Sequence, residues 1–304
     1  MGIAFKGRDL ISIKDLTKDE LLYILNSTSK IKGNNLLKGK ILASLFFEPS
    51  TRTKLSFESA MSKLGGSVIG FGSPQITSIA KGESLHDTMK MVESYGDIIV
   101  MRHPIDGSVR YAAEAVEIPV INAGDGVNQH PTQTLVDIYT IRKIIGRLDN
   151  LTIGFIGDMK YGRTIHSLAY ALSHFKTKMF FISPEELRIP EHYLEELHDR
   201  KVKFFEVEEL SKISNHLDIL YVTRIQKERF PDPVDYERFR GIYRIDKNTL
   251  KNCKPSLKIM HPLPRVDEIT MDIDNTQNAI YFEQARNGVI IRKVLLALIL
   301  GAIK

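Results

Sequence analysis

The stretch ILASLFFEPSTRTKLSFESAMSKLGGSVIGF, residues 41–71, holds two short β-rich apolar runs, "ILASLFF" and "SVIGF", with a helical pattern opening at Arg52 between them. Short apolar runs alternating with helical segments are the mark of parallel strands joined by crossover helices. The junction is unusual in its chemistry. Ser50, Thr51, Arg52 and Thr53 stand together where the first strand turns into the helix. A helix N-terminus offers unpaired backbone N–H groups to an anion, and hydroxyls with a guanidinium complete a phosphate cradle. Capping alone requires one hydroxyl and explains neither Arg52 nor the row.

The same alternation runs outward through the chain. Before this stretch, "TKDELLYILNSTSKI" reads as a helix, with Thr17 and Glu20 at capping-box spacing. After it, "DIIVM" and "PVINA" read as strands, with helices from Ser84 and Ser108. The segment "HPTQTLVDIYTIRKIIG" is a helix with apolar spacing at Leu135, Ile138 and Ile141. A second series of strands follows at "LTIGFIG", "KMFFIS", "VKFFEV", "DILYV" and "LKIM". No Gly/Ser linker parts the two series, so the helix from Thr132 is expected to bridge them, and a closing helix from about Gln284 to return to the first. The expected fold is α/β: two domains, each a mainly parallel sheet flanked by helices, linked by two interdomain helices with a cleft between. The boundaries so read are 1–131 with 285–304, and 132–284. Residues 226–245, "QKERFPDPVDYERFRGIYRI", lack a clear period and read as a long loop.

At 304 residues the chain exceeds the size at which one core stops growing, in keeping with two domains. Its single cysteine, Cys253, allows no internal disulfide and suits a cytoplasmic protein. The opening "MGIAFKGRDL" has no signal-peptide core, and Lys6 stands where a myristoylation motif needs Ser or Thr. "VLLALILGAI" is too short to span a bilayer and reads as a buried helix, so no membrane partner is expected. A net charge of +5 without basic runs or an aromatic-basic signature argues against nucleic acid.

In open parallel sheets ligands sit beyond the carboxyl ends of the strands. Arg52, Arg102, Arg163, Arg224 and Arg265 follow five strand candidates, and His130 follows a sixth. Arginine's fork is the preferred partner of carboxylate and phosphate, so the site is built for ligands with several negative charges. "GDMKYGRT" approaches a P-loop but has Arg163 in place of the lysine, and Gly154, Gly157 and Gly162 miss the dinucleotide spacing. His103, His130 and His261 each precede a proline in separate segments, without paired metal ligands, so neither a metal nor a cofactor is expected. Cys253 lacks a nucleophile's signature, and no G-x-S-x-G elbow occurs. The chemistry therefore rests on binding, orientation and electrostatics.

"FFEPSTRTKLSFESAMSKLG", "KGESLHDT", "VMRHP", "NAGDGVNQHPTQTLVDIYTI", "GDMKYGRTIHSLAYAL", "YVTRIQKERF" and "HPLPRVDEI" occur in that order over nearly the full chain. Together they resemble the aspartate carbamoyltransferase catalytic chains. Ornithine carbamoyltransferases share the STRT row and an HPxQ element but read "HCLP" where this chain has "HPLP", and they lack the lysine loop and "TRIQ".

The resemblance implies carbamoyl transfer from carbamoyl phosphate to the α-amino group of L-aspartate, in pyrimidine synthesis, with the first domain binding carbamoyl phosphate and the second aspartate. It places Ser50, Thr51, Arg52, Thr53 and Arg102 on the phosphate, and Arg52, Thr53 and His130 around the carbonyl oxygen. Gln133 and the backbone carbonyls of Leu263 and Pro264 would hold the carbamoyl NH₂, with the Leu263–Pro264 bond cis. Arg163 would take the α-carboxylate of aspartate; Arg224, Gln226 and Lys81 would favour the β-carboxylate. Ser78 and Lys81 would come from a neighbouring subunit of a homotrimer, which regulatory chains could join in a larger allosteric assembly. Direct attack by the neutral amine would pass through a tetrahedral species whose oxygen meets Arg52, Thr53 and His130, with the departing phosphate as proton acceptor. Glu48 is expected to pair with an arginine, and aspartate binding to close the domains. The alternatives are a carbamoyltransferase for another amine, such as ornithine, and a non-catalytic homologue acting as an assembly partner.

Overall fold

The computed structural model describes residues 3–226 and 232–304. The chain divides into two compact units, Met1–Tyr139 with Arg286–Lys304, and Thr140–Ala285.

In the first unit the order is α1 (Lys18–Asn26), β1 (Ile41–Phe46), α2 (Thr51–Lys63), β2 (Ser67–Phe71), α3 (Leu85–Glu93), β3 (Ile98–His103), α4 (Ser108–Ala115) and β4 (Val120–Asp125). All three strand pairings are parallel, in the order β2-β1-β3-β4. Strands buried on both faces read as continuous apolar runs, and Leu42 to Phe46 and Ile98 to Met101 are buried throughout. The edge strand β2 has half-buried and exposed positions instead, none fully buried. α1 opens on the expected capping box, with the Thr17 side chain accepting from the Glu20 N–H and the Glu20 carboxylate accepting from the Thr17 N–H. α2 lays Phe57, Ala60 and Met61 on the sheet, and Phe57 and Met61 are each worth about 1.5–3 kcal/mol on burial.

The second unit holds β5 (Leu151–Ile156), α6 (Arg163–Leu172), β6 (Thr177–Ile182), α7 (Glu191–Asp199), β7 (Lys203–Val207), β8 (Ile219–Val222), α8 (Pro233–Phe239), α9 (Lys247–Leu250) and β9 (Lys258–Met260). The sheet is again parallel throughout, in the order β7-β6-β5-β8-β9. Its core includes Ile156, Ile182, Leu220 and Ile259.

α5 (Pro131–Ile145) and α10 (Tyr281–Ile299) run through the two division points, so the units are linked by two helices. The first division falls within α5, after Tyr139, and not at its start. Leu135, Ile138 and Ile141 are fully buried on α5, and Val294 to Ile299 are buried at the end of α10, as their spacing and apolar content require. Residues 226–245 are not a single loop: α8 occupies Pro233–Phe239, with Pro233 at the first helical position where its missing N–H costs nothing. Residues 227–231 of that segment lie outside the described residues. Among the described residues, no helix is long and apolar enough to cross a membrane.

Candidate active site

Each sheet reverses its winding once. In the first unit the chain leaves β1 for β2 on one side and reaches β3 on the other, so β1 and β3 flank the switch point. Arg52 follows β1, and Arg102 lies at the end of β3, in register with Phe46. A crevice at the carboxyl ends of such a strand pair is where open α/β sheets bind ligands. The Phe47 N–H donates to the Arg102 carbonyl at 2.9 Å, which fixes Arg102 beside the start of the Ser50–Thr53 row. The expected partner of Glu48 is Arg102: guanidinium Nη2 meets carboxylate Oε1, both side chains largely buried.

Ser50 occupies the N-cap position of α2 in extended geometry, and its side chain makes no cap hydrogen bond. The hydroxyl therefore does not close the helix. Thr51 and Arg52 are exposed, whereas Thr53 is buried against the unit. His130 arrives from β4, the next strand beyond β3, and is buried, its carbonyl accepting the N–H groups of Gln133 and Thr134 as α5 begins. The approach to it is built by buried Asp125, whose carboxylate accepts from the Asn122 and Asn128 side chains and from the Gly107 and Gln129 N–H groups. Gln133 donates its Nε2 to Asp137 at 2.8 Å, so its acceptor Oε1 is left for another donor. Ser78 and Lys81 lie in a 3-10 turn after β2; both are exposed, and among the described residues no carboxylate pairs with Lys81.

The second unit repeats the arrangement. β5 is flanked by β6 and β8, and the exits of the switch pair β5 and β8 carry Arg163 and Arg224. Arg163 opens α6 and is 9% exposed. Gln226 reaches back from the β8 exit, its Nε2 facing the Tyr161 carbonyl at 3.5 Å. Between the two exits sits Asp158, fully buried, whose carboxylate accepts from the Tyr161 N–H at 2.9 Å. Burial pushes its carboxyl up to about 6, against the opposing backbone N–H groups of Tyr161, Gln226 and Lys160. Asp158 lies within the "GDMKYGRT" segment, where sequence alone gives it no role. Its signal is an acidic side chain directly after a strand-ending glycine.

The β9 exit carries the cis Leu263–Pro264 bond. The His261 Nδ1 accepts the Leu263 N–H at 2.8 Å, so the proton resides on Nε2, which donates to Glu268 at 2.6 Å. Burial alone would raise the Glu268 carboxyl, but the hydrogen bond from His261, with the backbone N–H groups of the turn behind it, holds the group below its ordinary range. The other Glu268 oxygen accepts from the Val266 and Asp267 N–H groups, so one buried carboxylate shapes the whole turn. Arg265, grouped with the ligand cations by its strand-exit position, is instead engaged within its own unit. Its two terminal nitrogens grip the Asp274 carboxylate and the Tyr281 hydroxyl. Cys253 is a half-buried thiol raised by burial and bonded to the Thr249 carbonyl, the opposite of an activated nucleophile. Among the described residues, no group of three His, Cys, Asp or Glu side chains is placed to hold a metal ion.

Two parallel sheets, each with a pair of arginines at the strand exits of its switch point, define an α/β protein of two similar units. The chain belongs to the aspartate/ornithine carbamoyltransferase family: the model of the carbamoyl-P binding domain matches residues 8–143, and that of the Asp/Orn binding domain matches residues 149–299. Relatives narrow the class. The aspartate carbamoyltransferase catalytic subunit of Thermococcus kodakarensis is 55% identical over 306 residues, covering 98% of this chain and 99% of its own. A solved catalytic subunit of M. jannaschii aspartate transcarbamoylase superposes with a TM-score of 0.88 at 51% identity, covering 95% of this chain and 97% of that one. Aspartate transcarbamoylase from Trypanosoma cruzi, solved with carbamoyl aspartate and phosphate, gives a TM-score of 0.93 at 36% identity over 99% of this chain and 98% of its own.

Proposed function

We propose that this chain transfers the carbamoyl group of carbamoyl phosphate to the amino group of L-aspartate, giving N-carbamoyl-L-aspartate and phosphate for pyrimidine biosynthesis. The observation that carries the reading is the pair of arginines at each switch point: Arg52 and Arg102 at the exits of β1 and β3, Arg163 and Arg224 beyond the ends of β5 and β8. A phosphorylated donor and a dicarboxylate acceptor are two anions of the kind that such pairs bind.

In this reading the uncapped N-terminus of α2, with Ser50, Thr51, Arg52, Thr53 and Arg102, takes the phosphate. Arg163 takes the α-carboxylate of aspartate, while Arg224, Gln226 and Lys81 take the β-carboxylate. The neutral amine attacks the carbonyl carbon and forms the C–N bond. The carbonyl oxygen gains charge, met by Arg52, Thr53 and His130; the C–O bond to phosphate then breaks, and phosphate leaves with the amine proton. Gln133 Oε1 and the carbonyls of Leu263 and Pro264 accept from the carbamoyl NH₂. Ser78 and Lys81, exposed on their turn, serve the site of a neighbouring subunit in a homotrimer. Exposed Leu55, Ile76 and Met91 are the large apolar side chains that an associating chain would cover. The enzyme works in the cytoplasm, in keeping with its one unreactive cysteine.

Loss of one oxyanion donor costs about 2.7–4 kcal/mol, so Arg52→Ala should lower kcat by about 10²–10³ with the fold intact by circular dichroism. Wild-type turnover in that variant would remove the central cation from the mechanism. Assays with L-aspartate and L-ornithine in parallel test the acceptor, and turnover of ornithine in place of aspartate would overturn the assignment of Arg224 and Gln226.

A further inference from the structure

We propose that Asp137 is a positioning residue for the carbamoyl-binding amide of Gln133, with the buried Arg292 guanidinium as its counter-charge; the inference rests on the role given to Gln133 above. The two acidic and amide positions are i and i+4 on α5, stacked on one face of the helix. A carboxylate only accepts hydrogen bonds. The 2.8 Å contact from Gln133 Nε2 to Asp137 Oδ1 therefore turns the NH₂ end of the amide inward and leaves Oε1 as the end that a substrate NH₂ can meet. With the amide reversed, two NH₂ groups would face each other.

Asp137 is fully buried, and a buried carboxylate needs a counter-charge. Arg292 of α10 lies within electrostatic reach of Asp137, 4% exposed, with its guanidinium 5.0 Å above the ring of Phe57. Burial pulls this guanidinium down to about 10 while Asp137 opposes the shift, so the arginine stays charged at neutral pH. Room for it is made by Gly288 one turn earlier. A Cβ there would lie 2.4 Å from Arg292 Nη1, which accounts for a glycine in a helix interior, where it is usually less favourable than alanine. Phe57 belongs to α2, the helix that begins at the Ser50–Thr53 row. The helices α2, α5 and α10 thus converge on one buried cation within the first unit.

A purely structural Asp137 would neutralise Arg292 and do nothing more. A cycle of Asp137→Asn, Gln133→Ala and the double variant separates the two roles. Each single change should raise KM for carbamoyl phosphate about tenfold, the worth of one neutral hydrogen bond with its orientation. The double variant should be no worse than Gln133→Ala. Thermal stability should fall in Asp137→Asn and return when Arg292→Met is added, while KM stays raised. Multiplicative effects of the two changes, or an unchanged KM in Asp137→Asn beside a raised one in Gln133→Ala, would overturn the positioning role. An unchanged KM in Gln133→Ala would overturn the reading of Gln133 itself, and this inference with it.

Discussion

Ser50 and Asp158 both stand at a strand exit, and both do something other than what their residue type does most often. Serine at an N-cap normally closes the helix with its hydroxyl, yet Ser50 makes no such bond, which keeps a donor and the first N–H groups of α2 open to an anion. Aspartate is normally ionised well below neutral pH, yet burial lifts Asp158 to about 6. The consequence has a sign. A carboxyl whose pKa rises on folding takes up a proton as the chain folds, so stability falls as pH climbs from its ordinary value of 3.8 through about 6. The shift amounts to about 3 kcal/mol at most. Asp158→Asn removes this ionisation, so the stability of the variant relative to wild type should improve by up to about 3 kcal/mol between about pH 4 and about pH 7 in urea titrations. A difference independent of pH would mean that Asp158 titrates at its ordinary value. At this scale, position after a strand points to the cations proposed above for the ligands but not to the side chains that support them. Arg52, Arg102, Arg163 and Arg224 could be read from position after a strand, but Arg102 also pairs with Glu48, and Arg265, which shares that position, is bound by Asp274, 9 residues further on. Which arginine a carboxylate claims depends on contacts that spacing does not encode.

At the scale of elements, the inner strands were legible because parallel strands buried on both faces must be short continuous apolar runs, while the edge strands β2 and β7, partly exposed, were legible from their β-rich residues between turns. α8 was not, since a seven-residue helix with many charges leaves too little periodicity to detect. Gly157 shows how closely these elements approach. It ends the β5 exit at φ +124, and a Cβ there would lie 2.2 Å from the Thr223 carbonyl oxygen of the β8 exit. Backbone cannot yield as a flexible side chain does. Gly157→Ala must therefore force apart the two exits that carry Arg163 and Arg224, at a cost on the order of 3 kcal/mol in denaturant unfolding. KM for aspartate should rise, with carbamoyl phosphate affinity little changed. A loss under about 1 kcal/mol would show that β5 and β8 separate without penalty. The sequence supplied the glycine but tested it only against a dinucleotide fingerprint, because its true neighbour lies 66 residues away.

The whole molecule, on the reading proposed above, is more than one chain. Ser78 and Lys81 are exposed on a turn after β2, with Lys81 unclaimed by any carboxylate among the described residues, whereas Arg52 stands at the β1–α2 junction. If a site takes Arg52 from one subunit and Lys81 from the next, the two defects can be sorted onto different junctions. Arg52→Ala subunits and Lys81→Ala subunits, each inactive as homotrimers, should regain activity when mixed. In a closed ring every contact joins the same two unlike patches, so each mixed trimer holds one junction with both residues intact and about one third of wild-type activity. Two different affinity tags, one on each variant, isolate the mixed assemblies and exclude the parents. The aspartate KM of the recovered activity should match wild type, because the restored sites lack neither residue. Should the mixed assemblies stay as inactive as their parents, Arg52 and Lys81 must belong to one subunit's site, since every site would then carry a defect however the chains were combined.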